Sequence, residues 1–113
     1  MTVLCRVGDI PDGDAIAVAC EVNGEAFDLI VARSGQDVYC YHNECPHQGR
    51  RLDWAPGRFL VRAARITCAV HGATFEVAGG ACIGGPCRGQ PLAALPVRVA
   101  DGEVVLDDPL QPA

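Results

Sequence analysis

The chain has 113 residues, a formal net charge of −5 and hydrophobic residues at half of its positions. This length suits a single domain with one modest core, and the hydrophobic fraction excludes a wholly disordered chain. The negative charge and the lack of a basic stretch argue against nucleic acid as a partner, and they are compatible with docking onto a basic protein surface. The N-terminus lacks a basic region followed by a long apolar stretch, so we expect a cytoplasmic protein that is not bound to a membrane.

Short strands separated by turn signals are predicted along the first part of the chain. The 13 glycines and 8 prolines favour turns and short strands over long helices. The pattern predicts strands at residues 2–7, 15–22, 27–33 and 38–42. Asn23-Gly24, between the second and third of these strands, is typical of a two-residue hairpin turn.

The second part of the chain is predicted to be richer in loops, from about residue 43 to residue 88. Two strands are predicted within it, at 65–70 and 73–77, and residues 50–64 leave room for a short helical turn that Pro56-Gly57 would end. Strands at 96–100 and 103–107 flank Asp101-Gly102, a second hairpin signal. We therefore predict one all-β antiparallel domain over residues 1–113, with a base from 1–42 and 89–108 and a loop-rich subdomain over 43–88.

The seven cysteines indicate metal binding rather than a disulfide framework, because their number is odd and no secretory signal precedes them. Three of them, Cys5, Cys20 and Cys40, lie in apolar predicted strands and are interpreted as small buried hydrophobic residues. His42 ends a predicted strand, where a structural or solvent-facing role is expected.

The candidate metal ligands are Cys45 and His47 in CPHQG, and Cys68 and His71 in CAVHG. Residues two apart in an extended segment point the same way, so the first pair can face one site. The second pair needs a tight turn, which Gly72 favours. Two thiolates and two imidazoles suit a tetrahedral zinc site. However, each loop carries one ligand of each kind, which suits two metal ions side by side, one bound by both cysteines and the other by both histidines.

The two boxes together resemble the Rieske [2Fe–2S] signature, C-x-H followed by C-x2-H. The H-G-x-x-F continuation through Phe75 and the GGPC stretch at 84–87 are also similar to that family. The resemblance implies a small antiparallel β-sandwich or barrel with a loop-rich cluster-binding subdomain and one [2Fe–2S] cluster. It further implies that Cys45 and Cys68 bind the inner iron and that His47 and His71 bind the outer iron. Histidine ligation raises the reduction potential above that of an all-cysteine cluster.

Two differences from other classes of Rieske protein narrow the type that this chain resembles. Respiratory and photosynthetic members carry two further cysteines that form a disulfide between the loops, and this chain has Gly49 and Ala73 there. Oxygenase large subunits carry a long catalytic domain, for which 113 residues leave no room. The resemblance therefore implies a soluble Rieske-type ferredoxin, an electron carrier rather than an enzyme. Its expected transient partners are a flavin-dependent NAD(P)H reductase and a terminal oxygenase. A small Rieske subunit like that of nitrite reductases and a structural zinc module are the alternatives.

Two cysteines near the expected cluster, Cys82 and Cys87, raise a separate hypothesis. They are close enough in sequence for a local disulfide that would make this loop redox-sensitive. Because a reducing cytosol disfavours such a bridge, we favour two thiols.

Overall fold

The computed structural model describes residues 2–22, 25–44, 52, 58–68, 72–85 and 91–106. These residues form short strands joined by tight turns, together with one turn of 3-10 helix at Val7–Asp9. In chain order the strands are β1 (Thr2–Arg6), β2 (Ala15–Val22), β3 (Glu25–Ser34), β4 (Asp37–His42), β5 (Leu60–Arg62), β6 (Arg65–Thr67), β7 (Thr74–Glu76), β8 (Cys82–Gly84), β9 (Ala94–Leu95), β10 (Val97–Ala100) and β11 (Glu103–Leu106).

The strands form three antiparallel sheets, ordered β1-β11-β10, β2-β3-β4-β9 and β5-β6-β7-β8. The predicted all-β antiparallel fold is therefore confirmed. No helix among the described residues is long and apolar enough to cross a membrane.

The second sheet is buried on both faces, and strand β3 shows why. Its residues Leu29, Ile30, Val31 and Ala32 have no exposed surface. Because successive side chains on a strand point to opposite faces, Leu29 and Val31 pack in one core cluster and Ile30 and Ala32 pack in another. The first cluster also holds residues of the β1-β11-β10 sheet, and the second holds residues of the β5–β8 sheet. The second sheet thus carries the other two on its opposite faces.

Tyr41 ties the second sheet to the β5–β8 sheet. Its ring is buried, and its hydroxyl donates a hydrogen bond of 2.6 Å to the carbonyl of Val77, just beyond β7. Gly80 lies so close that an added Cβ would come within 2.7 Å of the Tyr41 ring. The β5–β8 sheet is thereby held in a fixed position against the strand that leads into the first predicted ligand box.

The predicted strand boundaries agree with the structure to within about two residues for most strands, and β2 matches exactly. Predicted strand 65–70 is shorter, since β6 ends at Thr67. Strands β5, β8 and β9 were not predicted, because they have only two or three residues and, unlike β6 and β7, are not part of a longer predicted strand. The helical turn allowed over 50–64 is wrong for its described end, where Leu60–Arg62 is a strand. The Asn23-Gly24 turn lies outside the described residues.

Two hairpins have turns of the same backbone form. Arg62 pairs with Arg65 across Ala63 and Ala64, whose φ angles are 52° and 61°. Ala100 pairs with Glu103 across Asp101 and Gly102, whose φ angles are 52° and 76°. Two central residues with positive φ are the hallmark of the type I′ turn, which matches the twist of the flanking strands.

Candidate metal centre

Cys68 lies directly after β6, at the base of the second predicted ligand loop. Its side chain is buried, with 1% of its surface exposed. The backbone N–H of Cys68 donates to the carbonyl of Ala73 at 2.7 Å, and the N–H of Gly72 donates to the carbonyl of Cys68 at 2.9 Å. Gly72 has a φ of +73°, which glycine adopts without strain. The tight turn expected after Cys68 is therefore closed at its base, and the loop it closes contains His71.

The outward side of the same hairpin carries two threonines that join its strands. Thr67 and Thr74 lie opposite each other, with their hydroxyl oxygens 3.3 Å apart. The Thr74 hydroxyl also donates to the carbonyl of Gly72 at 3.3 Å. These contacts join the last paired residues before the loop and so restrict the movement of the chain on either side of Cys68.

The first ligand loop is held at both ends by the buried side chain of Asn43. Its Oδ1 accepts a hydrogen bond of 2.8 Å from the backbone N–H of Leu52, and the backbone N–H of Asn43 donates to the carbonyl of Asp28 at 2.9 Å. Leu52 has no exposed surface and belongs to the same core cluster as Cys68 and Ala73. Leu52, which follows the first candidate box, thus packs in the same buried cluster as Cys68 and Ala73, which lie on either side of the second loop.

A third segment, Gly84–Gly85, lies against the second loop. A Cβ on Gly85 would come within 2.7 Å of the Ala73 Cα and 2.9 Å of the Gly72 carbonyl oxygen, so only glycine fits here. Gly85 also has a φ of +86°. Before it, the Cys82 thiol donates to the carbonyl of Gly84 at 3.3 Å. Cys87 lies outside the described residues, so the Cys82–Cys87 disulfide stays a hypothesis.

Of the four predicted ligands, the structure describes Cys68, while Cys45, His47 and His71 lie outside the described residues. Accordingly, no group of three metal-binding side chains is found within the part of the chain that is described. The surroundings of Cys68 nevertheless fit a thiolate ligand of such a site. The buried Cys68 thiol lies in an apolar core beside a closely packed glycine loop. Soft thiolate donors of this kind select iron–sulfur clusters or zinc over hard cations.

Three further described cysteines, Cys5, Cys20 and Cys40, lie on the opposite face of the second sheet from Cys68, and His42 packs on Phe27. Cys20 and Cys40 are buried in the opposite core cluster, as predicted, and Cys5 is only partly buried. Burial, followed by the neighbouring Cys5 and Cys20, raises the pKa of Cys40 to about 12, so its thiol keeps its proton at neutral pH. The His42 ring lies 5.9 Å from the Phe27 ring, a packing role in agreement with the structural reading.

Sequence reasoning missed Asn43, Leu52 and the close approach at Gly85. Asn43 precedes the first box with no local signal, since an asparagine before a loop is ordinarily a turn residue. Its role depends on the position of Leu52, nine residues later. Gly85 was visible as part of GGPC, but its contact with Ala73 joins segments that no sequence pattern connects.

Comparison with known families decides which cluster protein this is. The model of the Rieske [2Fe-2S] domain matches residues 1–103. The chain belongs to the Rieske [2Fe-2S] domain family. Its cofactor is accordingly a Rieske-type [2Fe–2S] cluster, which takes up and releases a single electron.

Solved structures of Rieske-type ferredoxins match nearly the whole chain. The Sphingomonas yanoikuyae B1 ferredoxin is 31% identical, with a TM-score of 0.75, and the match covers 96% of this chain and 98% of that chain. The ferredoxin of carbazole 1,9a-dioxygenase from Nocardioides aromaticivorans IC177 is 28% identical, with a TM-score of 0.72 and coverage of 93% and 94%. No match was found among curated proteins. In fold, family and size the chain is thus a Rieske-type ferredoxin, an electron-transfer component.

Proposed function

We propose that this Rieske protein carries single electrons from a flavin-dependent NAD(P)H reductase to a terminal oxygenase in the cytoplasm. The observation that carries the proposal is the match over almost the full length of both chains with ferredoxins of oxygenase systems. One such match, 27% identical with a TM-score of 0.76, is to a structure described as a complex of reduced oxygenase and oxidised ferredoxin in carbazole 1,9a-dioxygenase; it covers 94% of this chain and 100% of that one. An electron carrier must dissociate quickly, and small interfaces suit such transient contacts.

We further propose that Cys45, His47, Cys68 and His71 hold the cluster, the cysteines on the inner iron and the histidines on the outer one. The closed base of the Cys68–Gly72 loop and the Asn43–Leu52 clamp support this assignment, because they fix both loops at one core. Residues 43–88 would then form the cluster-binding subdomain, with residues 1–42 and 89–108 as its base.

The test is low-temperature electron paramagnetic resonance of anaerobically purified protein, before and after reduction with dithionite. A silent oxidised sample that gives a rhombic spin-half signal on reduction is expected, with an average g below that of all-cysteine clusters. His71→Ala should lose this signal, and His42→Ala should keep it, because His42 packs on Phe27. A zinc-containing, signal-free protein would contradict the proposal, and a native signal in His71→Ala would refute the ligand assignment.

Delivery to an oxygenase needs its own measurement. Reduced protein should transfer its electron to a purified Rieske oxygenase in stopped-flow mixing, with one electron leaving per molecule of ferredoxin. Stable co-purification with a large oxidoreductase instead would contradict the role of a diffusible carrier.

A further inference from the structure

The outer face of the β5–β8 sheet combines positive charge with exposed apolar surface. Residues 58–62 alternate, with Phe59 buried and Val61 packed against the core, so Arg58, Leu60 and Arg62 point outwards. Arg65 lies opposite Arg62 on the neighbouring strand and is also exposed. We call the surface formed by Arg58, Leu60, Arg62 and Arg65 the arginine face.

One end of the arginine face lies next to Cys68. Leu60 lies directly opposite Thr67, the residue before Cys68. Leu60 is 46% exposed although it is a large apolar residue, and it is flanked on its own strand by Arg58 and Arg62. An apolar anchor surrounded by arginines is the composition found at the centre of protein–protein interfaces, where arginine is enriched and lysine is not.

The register of the hairpin gives a second reason to assign a binding role here. Arg62 and Arg65 form a direct cross-strand pair, and like charges in that position destabilise a sheet. Glu76, opposite Arg65 on β7, balances one of them. A solvent-exposed like-charge pair of this kind is favourable once an acidic surface lies over it.

The charged residues of the whole chain are distributed unevenly, and the excess of arginine lies in the same part of the sequence as the arginine face. Residues 43–88 contain six arginines against three carboxylates, a formal charge of +3, while the remaining residues contain three arginines against eleven carboxylates, a charge of −8. The net charge of −5 therefore conceals a basic stretch that lies between two acidic ones along the chain. An uneven charge distribution steers a charged partner towards one part of a protein's surface, because the summed field of the protein acts on encounter.

We propose that the arginine face is the docking surface for an acidic patch on a redox partner protein. The inference rests on the proposed function and names the chemistry of the partner's surface, which is opposite to the basic surface expected from net charge alone. A long nucleic acid is a poorer fit, since its phosphates would also meet the acidic base of the molecule.

The first test measures binding of poly-L-glutamate by isothermal titration calorimetry at low ionic strength. Wild-type protein should bind, and Arg62→Gln/Arg65→Gln should bind more weakly by on the order of two- to thirty-fold, as for the loss of two exposed ion pairs. The matched control is Arg6→Gln/Arg98→Gln, which changes the net charge equally but on the β1-β11-β10 sheet. Absence of binding in wild type, or equal weakening in the control, would overturn the proposal. Circular dichroism checks that each variant is folded.

The second test uses ferricyanide, an anionic one-electron oxidant that becomes ferrocyanide as the reduced protein loses one electron. If the electron leaves near a basic surface, the rate of oxidation by ferricyanide should fall as salt is added, because salt screens the attraction. If the net charge of −5 acts alone, the rate should rise, because salt screens the repulsion. Arg62→Gln/Arg65→Gln should flatten the dependence, and the control should not. A rising rate in wild type would overturn the arginine face. A protein that dithionite cannot reduce would instead refute the proposed function and leave the glutamate titration to decide the charge of the surface.

Discussion

The hairpins at Ala63-Ala64 and at Asp101-Gly102 have the same turn geometry, but only the second has residues that favour this geometry. Asp-Gly is a residue pair that a type I′ turn favours, because aspartate tolerates positive φ and glycine adopts it readily. Ala-Ala is not, because an alanine Cβ approaches the following carbonyl in that conformation. Both alanines nevertheless have positive φ. The β10–β11 hairpin therefore has a turn specified locally, while the β5–β6 hairpin has one imposed by its surroundings.

The surroundings that impose the strained turn are visible in its contacts. The carbonyl of Ala64 accepts a hydrogen bond of 2.9 Å from the N–H of Val77, whose own carbonyl accepts the Tyr41 hydroxyl. Ile66, next to the turn, has no exposed surface. Tertiary packing thus outweighs local preference at this hairpin. We expect a substitution at a position that contacts a second segment to cost more than one that changes only the local conformation.

The largest loss of stability is expected at Gly85, which contacts a second segment of the chain. In Gly85→Ala the new Cβ would collide with Ala73 and Gly72, and positive φ adds strain, for a total loss of about 2–4 kcal/mol in unfolding free energy. The collision also displaces the base of the Cys68 loop, so iron content should fall. Urea denaturation and iron analysis measure the two effects.

Gly79→Ala is the matched control for that substitution. Gly79 has a φ of +89°, close to that of Gly85, but nothing lies within 4 Å of its added Cβ. Only the conformational cost of about 1 kcal/mol is expected, with iron retained. Equal losses in the two variants would show that the close approach at Gly85 has no energetic importance.

An intermediate effect is expected at Tyr41, which joins the second sheet to the β5–β8 sheet. Tyr41→Phe removes the buried hydrogen bond to Val77 and leaves that carbonyl without this donor, at a cost of about 1–2 kcal/mol. Tyr39→Phe is the control, because Tyr39 lies on the same strand and is half-buried against the same core cluster. The free energies of unfolding at neutral pH should differ between the two variants by most of that amount.

Alkaline titration tests the same residue independently. Burial raises the pKa of the Tyr41 hydroxyl from 10.0 to about 12. The folded state therefore keeps a proton that the unfolded chain loses, so stability is complete below about pH 10 and falls as the pH rises towards 12. Tyr41→Phe should make this fall less steep, while the part due to Cys40, whose pKa is raised in the same direction, should remain. An unchanged slope would contradict the burial of the hydroxyl.

The smallest effect comes from exchanging the two turns. Ala63→Asn/Ala64→Gly should relieve the positive-φ strain and stabilise the protein by about 1 kcal/mol. Asp101→Ala/Gly102→Ala should destabilise it by a similar amount. Thermal denaturation of both variants gives the comparison. If both exchanges leave the stability unchanged, the two turns do not differ as their sequences indicate.

The same contrast explains which features could be predicted from the sequence. The bounds of β2 and β3 were predicted closely, because these strands are long enough to be recognised from their residue types. The β10–β11 hairpin was predicted because Asp101-Gly102 is a turn signal. The Rieske family could be recognised by resemblance, because each of the two boxes is a short run of consecutive residues. Strand β5 and the Ala63-Ala64 turn were missed because packing produces them. The Asn43–Leu52 clamp likewise joins residues whose proximity exists only after the first loop has folded back.

The chain leaves and re-enters the second sheet at neighbouring positions. Tyr41 pairs with Ala94, and the N–H of His42 donates to the carbonyl of Ala93 at 2.9 Å. Everything between them, including the candidate ligands and the arginine face, forms an excursion whose two ends already meet. Because the two ends are joined in the sheet, an insertion or deletion within this stretch changes its length without separating β4 from β9.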